Sequence, residues 1–296
     1  MPETARLGSA LRLNSDDMPM EKTKKELEPL PQKGIITYPG EELGAHMDPW
    51  WGLVIGAVLL VIVLIVAVPN PYGRIFRFVS DGISITIVTT LVSFVLMIFL
   101  GLLGGLGRNS KNRLVNGIAS LYVEIIRGIP LLVQLIFWYY AFPSLVQSAG
   151  HQFHIAFLLG FQAAALPMAI LGLTICYGAY MSEIFRAGIQ SIPKGQIEAA
   201  RSLGMSNGQT MQHVVLPQAV RVILPPVGNE FVSLLKDSSL VSVVAVTDMT
   251  RRGQEFMGAT FITLQTWAMV ALLYLVMTLF SARIVAWIEK RVKYER

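Results

Sequence analysis

Residues 50–68 and 83–106 each continue for the thickness of a membrane without one charged side chain. A helix needs about 20 apolar residues to cross the hydrocarbon core of a bilayer. Two such uninterrupted runs, in a chain with 53% hydrophobic and 15% charged residues, point to an all-α polytopic membrane protein rather than a water-soluble core. Further spans are expected at 163–184, interrupted only by Glu183, at 261–282, and at 129–142, the last extending back through the amphipathic stretch 114–127.

Segment 218–235 is ambiguous, because it contains Arg221, Glu230 and the pair Pro225 and Pro226. Charge resolves it. Arg108, Lys111 and Arg113 follow the second span, Arg186, Lys194 and Arg201 follow the fourth, and Arg283, Lys290, Arg291, Lys293 and Arg296 close the chain. If the positive-inside rule puts all three clusters in the cytoplasm, an even number of crossings separates Arg201 from Arg296, so the ambiguous segment must span. Six helices result, with both termini cytoplasmic and Arg74, Arg77, Lys236, Arg251 and Arg252 outside. Prolines inside a membrane helix are tolerated where neighbours satisfy the freed carbonyls, which places the fifth helix within the bundle or along a path.

The net charge of +5 is distributed beside apolar spans rather than along one stripe, so it speaks for a membrane and against nucleic acid. The single cysteine, Cys176, excludes a disulfide framework and a cysteine metal set. His46, His151, His154 and His213 form no convincing ligand pattern. Residues 1–48 mix charges and prolines and are expected to be a disordered cytoplasmic tail. The first apolar run starts only at Trp50, which argues against a cleaved signal peptide.

Between the fourth and fifth spans lies "EAARSLGMSNGQTMQHVVLP", residues 198–217. Pro193 suits a first helical turn, residues 196–203 are mostly good helix formers, and Gly204 can take the positive φ that stops a helix sharply. Ser206 with Gln209 three residues on makes a capping box for a second short helix. The segment therefore reads as a helix, a tight corner and a second helix: a rigid elbow. Ala199 and Ala200 offer a small surface that another backbone can approach, and Glu198 and Arg201 can pair at i, i+3. The plain alternative is an amphipathic loop resting on lipid.

Glu198-Ala199-Ala200, three residues, Gly204, nine residues, Val214, one residue and Leu216-Pro217 resemble the EAA loop of importer permeases of the ATP-binding-cassette type, with valine at the family's usual isoleucine. "YVEIIRGIPLLVQL" (122–135), "YGAYMSEIFRAGIQSIPKGQ" (177–196) and "LPQAVRVILPPVGNEFVSLLKDSSLVSVV" (216–244) are similar to the branch that moves polar amino acids such as histidine, glutamate, glutamine, arginine and opines. The resemblance covers 82–296 and implies a type I importer-like transmembrane domain, a five-helix core to which helix 49–70 is an N-terminal addition. It also implies that loop 190–217 is a coupling helix, with Glu198, Ala199, Ala200, Arg201, Leu203 and Gly204 docking on a separate ATPase. No G-x-x-x-x-G-K-[ST] loop occurs in the chain, so ATP and magnesium are expected on that partner and no cofactor on this chain. An extracytoplasmic amino-acid-binding protein, a second permease copy or related permease, a polar amino-acid substrate and membrane lipid complete the expected partners, in a bacterial cytoplasmic membrane.

Glu124 and Arg127, and again Glu183 and Arg186, place an acid three residues before a base on one helical face, as expected of charge pairs that lock helices together. Glu183 has a second reading. A carboxylate inside a span is costly unless it meets a partner or a cavity, and a substrate ammonium would be such a partner. Gln134, Asn229 and Glu230 are candidates for the same path, against a role in hydrogen bonding between helices. Thr86, Thr89 and Thr90 are weaker candidates, and Lys236 and Asp237 are expected to snorkel or pair at the interface. Gly101 and Gly105 make a small-residue pair suited to a close helix contact. An ion-coupled secondary transporter also fits glutamates in a helical bundle but gives no reason for the elbow. An intramembrane enzyme would need a nucleophile and base or a metal set within the spans, and none is present.

Overall fold

A computed structural model describes residues 49–294, with side chains from 50 to 291; the tail expected to be disordered, 1–48, lies outside the described residues. The described residues are helical throughout, without a strand. In chain order they form α1 (Pro49–Ala67), α2 (Arg74–Arg108), α3 (Arg113–Gly128), α4 (Leu131–Ile136), α5 (Phe142–Phe153), α6 (Ala156–Leu159), α7 (Ala165–Gln190), α8 (Lys194–Ser202), α9 (Asn207–Thr210), α10 (Leu216–Asp237), α11 (Met249–Thr260) and α12 (Thr263–Tyr294). Five stretches are long and apolar enough to cross a membrane: 50–67, 69–108, 131–153, 165–190 and 263–291.

The seam between α2 and α7 is the spine of the bundle. It is close because glycines line it. A Cβ on Gly105 would stand 2.7 Å from the Phe185 Cβ, and Gly101 and Gly104 press on Met181 and Ser182, so the helix contact expected of Gly101 and Gly105 is present. Met97, Leu173 and Met181 bury at this seam and form the central core with Leu135 of α4 and Leu234 of α10. A second cluster of Val61, Ile75, Val79, Met249, Phe256 and Met269 joins α1, α2, α11 and α12. The N-terminal helix α1 packs along α12, with Trp51 edge-on to Phe280 at 6.5 Å and Arg283 over the Trp50 ring at 5.4 Å.

Two crossings differ from the sequence reading. The third is not one helix: Ile129 (φ −108, ψ 130) and Pro130 (φ −57, ψ 138) leave the helical region and separate α3 from α4. Proline disfavours helical φ/ψ in the residue before it. The chain resumes as α4, a π-helical turn at Phe137–Ala141, and α5.

The expected span at 218–235 is not among the five apolar stretches. α10 fails the test of apolar length that the five stretches pass, and its last residue, Asp237, accepts a hydrogen bond from Tyr177 Oη at 2.7 Å. Tyr177 lies about 20 Å up α7 from Gln190 at 1.5 Å per residue. Asp237 therefore lies level with the middle of α7, and the 3₁₀ segment Ser238–Val244 follows it. Asp248 then starts α11: fully buried, it accepts hydrogen bonds from the backbone of Arg251 (2.9 Å) and Thr250 (3.1 Å) and from Tyr274 Oη (3.1 Å).

Candidate functional site

The elbow is built by local chemistry. Pro193 occupies the cap position just before α8, one residue earlier than expected, and its carbonyl receives the Gln196 N–H at 3.0 Å. At the other end Met205 N–H reaches the Ala200 carbonyl (3.1 Å) and Gly204 N–H the Arg201 carbonyl (2.9 Å), the paired bonds of a Schellman stop, with Gly204 at φ +83. The capping box forms reciprocally: Ser206 Oγ accepts from Gln209 N (3.3 Å), and Ser206 N donates to Gln209 Oε1 (2.9 Å).

This corner is fastened to both neighbouring membrane helices. Gln218 Nε2 donates to Gln196 Oε1 at 2.5 Å and to the Val214 carbonyl at 2.9 Å. Beneath it Ile192, Val215, Ala219 and Ile223 close an apolar cluster with Ile189 and Ile197. Glu198, Ala199, Arg201 and Leu203 face outward, Leu203 at 84% exposure. Ala200 does not: it is 4% exposed, so only one of the two alanines is offered to a partner. Glu198 and Arg201 make no ion pair with each other.

The four intramembrane candidates separate. The Glu183 carboxylate accepts from Arg186 Nε at 3.1 Å and from Arg186 Nη2, and from Arg108 Nη1 at 2.5 Å. Arg186 goes on to Gln190 Oε1 (2.7 Å), and Gln190 to Asn109 Oδ1 (2.9 Å). Glu183 thus ties α2 to α7 through two arginines. Gln134 is buried, and its Nε2 donates to the carbonyls of Ile126 and Ile129, both at 2.9 Å, stapling the α3–α4 break. Asn229 is exposed on α10 and lines no cavity described here. The expected Glu124–Arg127 pair does not form. Glu124 points out and reaches only Arg108, at 4.0 Å, while the Arg127 guanidinium rests over the Tyr180 ring at 5.2 Å.

Glu230 lines a cavity. This space, about 430 Å³, is walled by the α3–α4 break (Arg127 to Leu131), by Cys176, Tyr177 and Tyr180 of α7, and by Glu230 and Asp237 of α10. Glu230 makes no hydrogen bond or ion pair with any described residue. Asp237, expected at the interface, lines the cavity, held there by Tyr177. Arg127, Tyr177 and Tyr180 join it there. A signal was present in the sequence: Glu230 and Asp237 are seven apart, two helical turns, and so share a face.

Residues 97–294 match the family described as binding-protein-dependent transport system inner membrane component. The glutamine transport system permease protein GlnP of Escherichia coli (strain K12) is 35% identical over 213 residues, 72% of this chain and 92% of that protein. The L-cystine transport system permease protein TcyB of Bacillus subtilis (strain 168) is 42% identical over 176 residues, 60% of this chain and 69% of that protein. The arginine transport system permease protein ArgU of Corynebacterium glutamicum is 36% identical over 242 residues, 79% and 76% respectively. Among solved structures, the crystal structure of an amino acid ABC transporter with histidines aligns at a TM-score of 0.65 and 35% identity, covering 74% of this chain and 95% of that one. An inward-facing MetNI methionine ABC transporter shares the fold at a TM-score of 0.61 and 20% identity.

Proposed function

Because this chain belongs to the family of binding-protein-dependent transport system inner membrane components, we propose that it is the permease subunit of an ATP-driven importer of polar amino acids. Its elbow faces the cytoplasm and carries a separate ATP-binding-cassette ATPase, which holds the ATP and magnesium. A binding protein delivers the amino acid from outside, and a second copy of this chain or a related permease completes the pore. The ion-coupled secondary transporter gives way to this reading, since the relatives are permease subunits of transport systems that include an amino acid ABC transporter.

The observation that carries the reading is the attachment of the elbow. A corner stopped by Gly204, capped by Ser206 and Gln209, and tied through Gln196 and Gln218 to the foot of α10 moves as one piece with the crossings on either side. Motion imposed on Glu198, Ala199, Arg201 and Leu203 therefore reaches Glu230 and Asp237 on the same helix, α10. Nucleotide shifts the pore between arrangements only by binding them unequally, and a stiff joint preserves that difference in energy.

In the cavity the head of an α-amino acid has two complementary charges: Arg127 for its carboxylate and Glu230 for its ammonium. Each of these side chains lacks an ion-pair partner among the described residues. Glu183 is assigned to the helix lock. Reconstitution into proteoliposomes with the co-purifying ATPase and binding protein tests the whole reading. Uptake is expected to need ATP and to ignore sodium and proton gradients; uptake that survives ATP depletion and follows an ion gradient refutes it.

A further inference from the structure

The N-terminal end of α2 carries an arginine pair for which the importer's working parts give no use. Arg74 and Arg77 are both exposed and stand three residues apart, neighbours on one face of the helix. Neither has an ion pair among the described residues. Acids are close in the fold but already engaged: Asp81 pairs with Arg252 at 3.1 Å, and Glu255 is shared by Arg251 and Arg252, each at 3.1 Å. The two guanidiniums of Arg74 and Arg77 are therefore the positive charge left over at this end of the bundle.

A cavity of about 390 Å³ is walled by the two arginines together with Phe78 and Phe256. The phenylalanine rings stand 5.6 Å apart, tilted by 58°, and Arg252 rests over the Phe78 ring at 5.7 Å. Charge and aromatic carbon thus share one hollow.

We infer that this hollow holds the head of an anionic phospholipid, with Arg74 and Arg77 donating to the two unesterified oxygens of its phosphate and Phe78 and Phe256 against its glycerol and first acyl carbons. In the orientation proposed above the lipid belongs to the outer leaflet, and only the choice of leaflet rests on that reading.

Like charges one helical turn apart repel, and a phosphate between them turns that cost into two charge-assisted hydrogen bonds, for which the guanidinium fork is suited. The place is also right for a lipid. Both arginines lie in the opening turns of stretch 69–108, which is long and apolar enough to cross a membrane. Val66 and Val68 are exposed just before them, and Val88, Leu91 and Val95 are exposed after them on the face that Arg77 shares. From Arg77 to Val95 the helix rises about 27 Å, close to the hydrocarbon thickness of about 30 Å, so acyl chains can descend from the hollow along apolar side chains. An acidic soluble protein would answer the arginines and leave the aromatic floor without a partner. An amphiphile answers both.

The test uses the full-length chain with its co-purifying ATPase, stripped of lipid in dodecyl maltoside. It is titrated with dioleoyl phosphatidylglycerol, dioleoyl phosphatidylcholine and glycerol 3-phosphate, and bound lipid is counted by native mass spectrometry. Phosphatidylglycerol is expected to bind at least about tenfold more tightly than phosphatidylcholine, the worth of one charge-assisted hydrogen bond, and glycerol 3-phosphate more weakly than either. Arg74→Gln with Arg77→Gln is expected to erase the preference, and Arg74→Lys with Arg77→Lys to keep most of it. Equal binding of the two lipids to the natural protein overturns the inference, as does a glutamine variant that keeps the preference. Glycerol 3-phosphate binding as tightly as phosphatidylglycerol overturns it in favour of a free anion. A glutamine variant that keeps the preference but loses binding-protein-stimulated ATP hydrolysis overturns it in favour of a docked protein. On the natural protein, a phosphatidylglycerol with a photoreactive head is expected to label the peptide containing residues 74–78, and labelling confined to other segments counts against the site whether or not the variants assemble. Micelles have no leaflets, so these outcomes stand apart from the orientation of the chain.

Discussion

Replacing Gly204 by valine isolates the mechanical role of the elbow. Gly204 sits at φ +83, and a Cβ built there meets nothing within 4 Å. The substitution therefore brings no clash, and its whole cost is that of holding an L-residue in the left-handed region, about 1–2 kcal/mol. At room temperature that lowers the ratio of native to alternative corner conformations by a factor of about 5 to 30. The fold should tolerate this, because the apolar cluster of Ile192, Val215, Ala219 and Ile223 and the Gln196–Gln218 bond lie on the inner side of the corner. A partner that docks only on the native corner then binds more weakly by up to the same factor.

Expected, then, is normal insertion of Gly204→Val with association with the ATPase weaker by up to about 5- to 30-fold and a matching loss of binding-protein-stimulated ATP hydrolysis. Gly204→Asn provides the control, since asparagine enters the left-handed region more readily than other non-glycine residues, and should lose less than Gly204→Ala. The assay is titration of the ATPase against the permease in nanodiscs, followed by stimulated hydrolysis in proteoliposomes. If the valine variant binds and couples like the natural protein, or if the asparagine variant is as impaired as the valine one, the corner's geometry is not what transmits force.

The α2–α7 seam predicts that Gly105→Val, whose Cβ would stand 2.7 Å from Phe185 Cβ and 3.0 Å from the Ser182 carbonyl, destabilises by about 1–3 kcal/mol through overpacking. A lowered melting temperature in scanning fluorimetry checks it. Glu183→Gln should cost about 1–3 kcal/mol by weakening the bonds to Arg108 and Arg186 and leave the order of substrate preference unchanged; an altered preference returns Glu183 to the path. In a Cys176→Ser background, a membrane-impermeant thiol reagent should label Gln152→Cys in intact cells and Lys111→Cys only after permeabilisation. The opposite pattern inverts the orientation.

Local chemistry was legible in the sequence; chemistry that depends on where helices end was not. The elbow could be read because Gly204, Ser206 and Gln209 act within a few residues of each other, and the geometry of the stop and the cap follows from them alone. The Glu183–Arg186 pair was readable for the same reason. Glu124 and Arg127 have the same spacing yet part, since Tyr180 of α7 captures Arg127 and no local rule announces it. Asp237 reads from the sequence as an interface residue because it closes a helix about long enough to span a bilayer. Only the contact with Tyr177, distant in sequence, fixes its depth.

The low hydropathy of the fifth crossing and the chemistry of the cavity have one cause. Backbone groups freed inside a membrane cannot face lipid, so a helix that ends at mid-depth must do so in polar company. Two helices end at the same cavity, α3 at Gly128 and α10 at Asp237. Gln134 satisfies the carbonyls of Ile126 and Ile129 at the first break, and Ser238 Oγ satisfies the Leu235 carbonyl at 2.8 Å at the second. Six unbroken apolar helices would bury more surface and leave no room for a charged solute. The departures from apolar length at α10 are therefore what a pathway for polar amino acids requires of a membrane bundle, and the elbow at the foot of that same helix puts the pathway within reach of a motor.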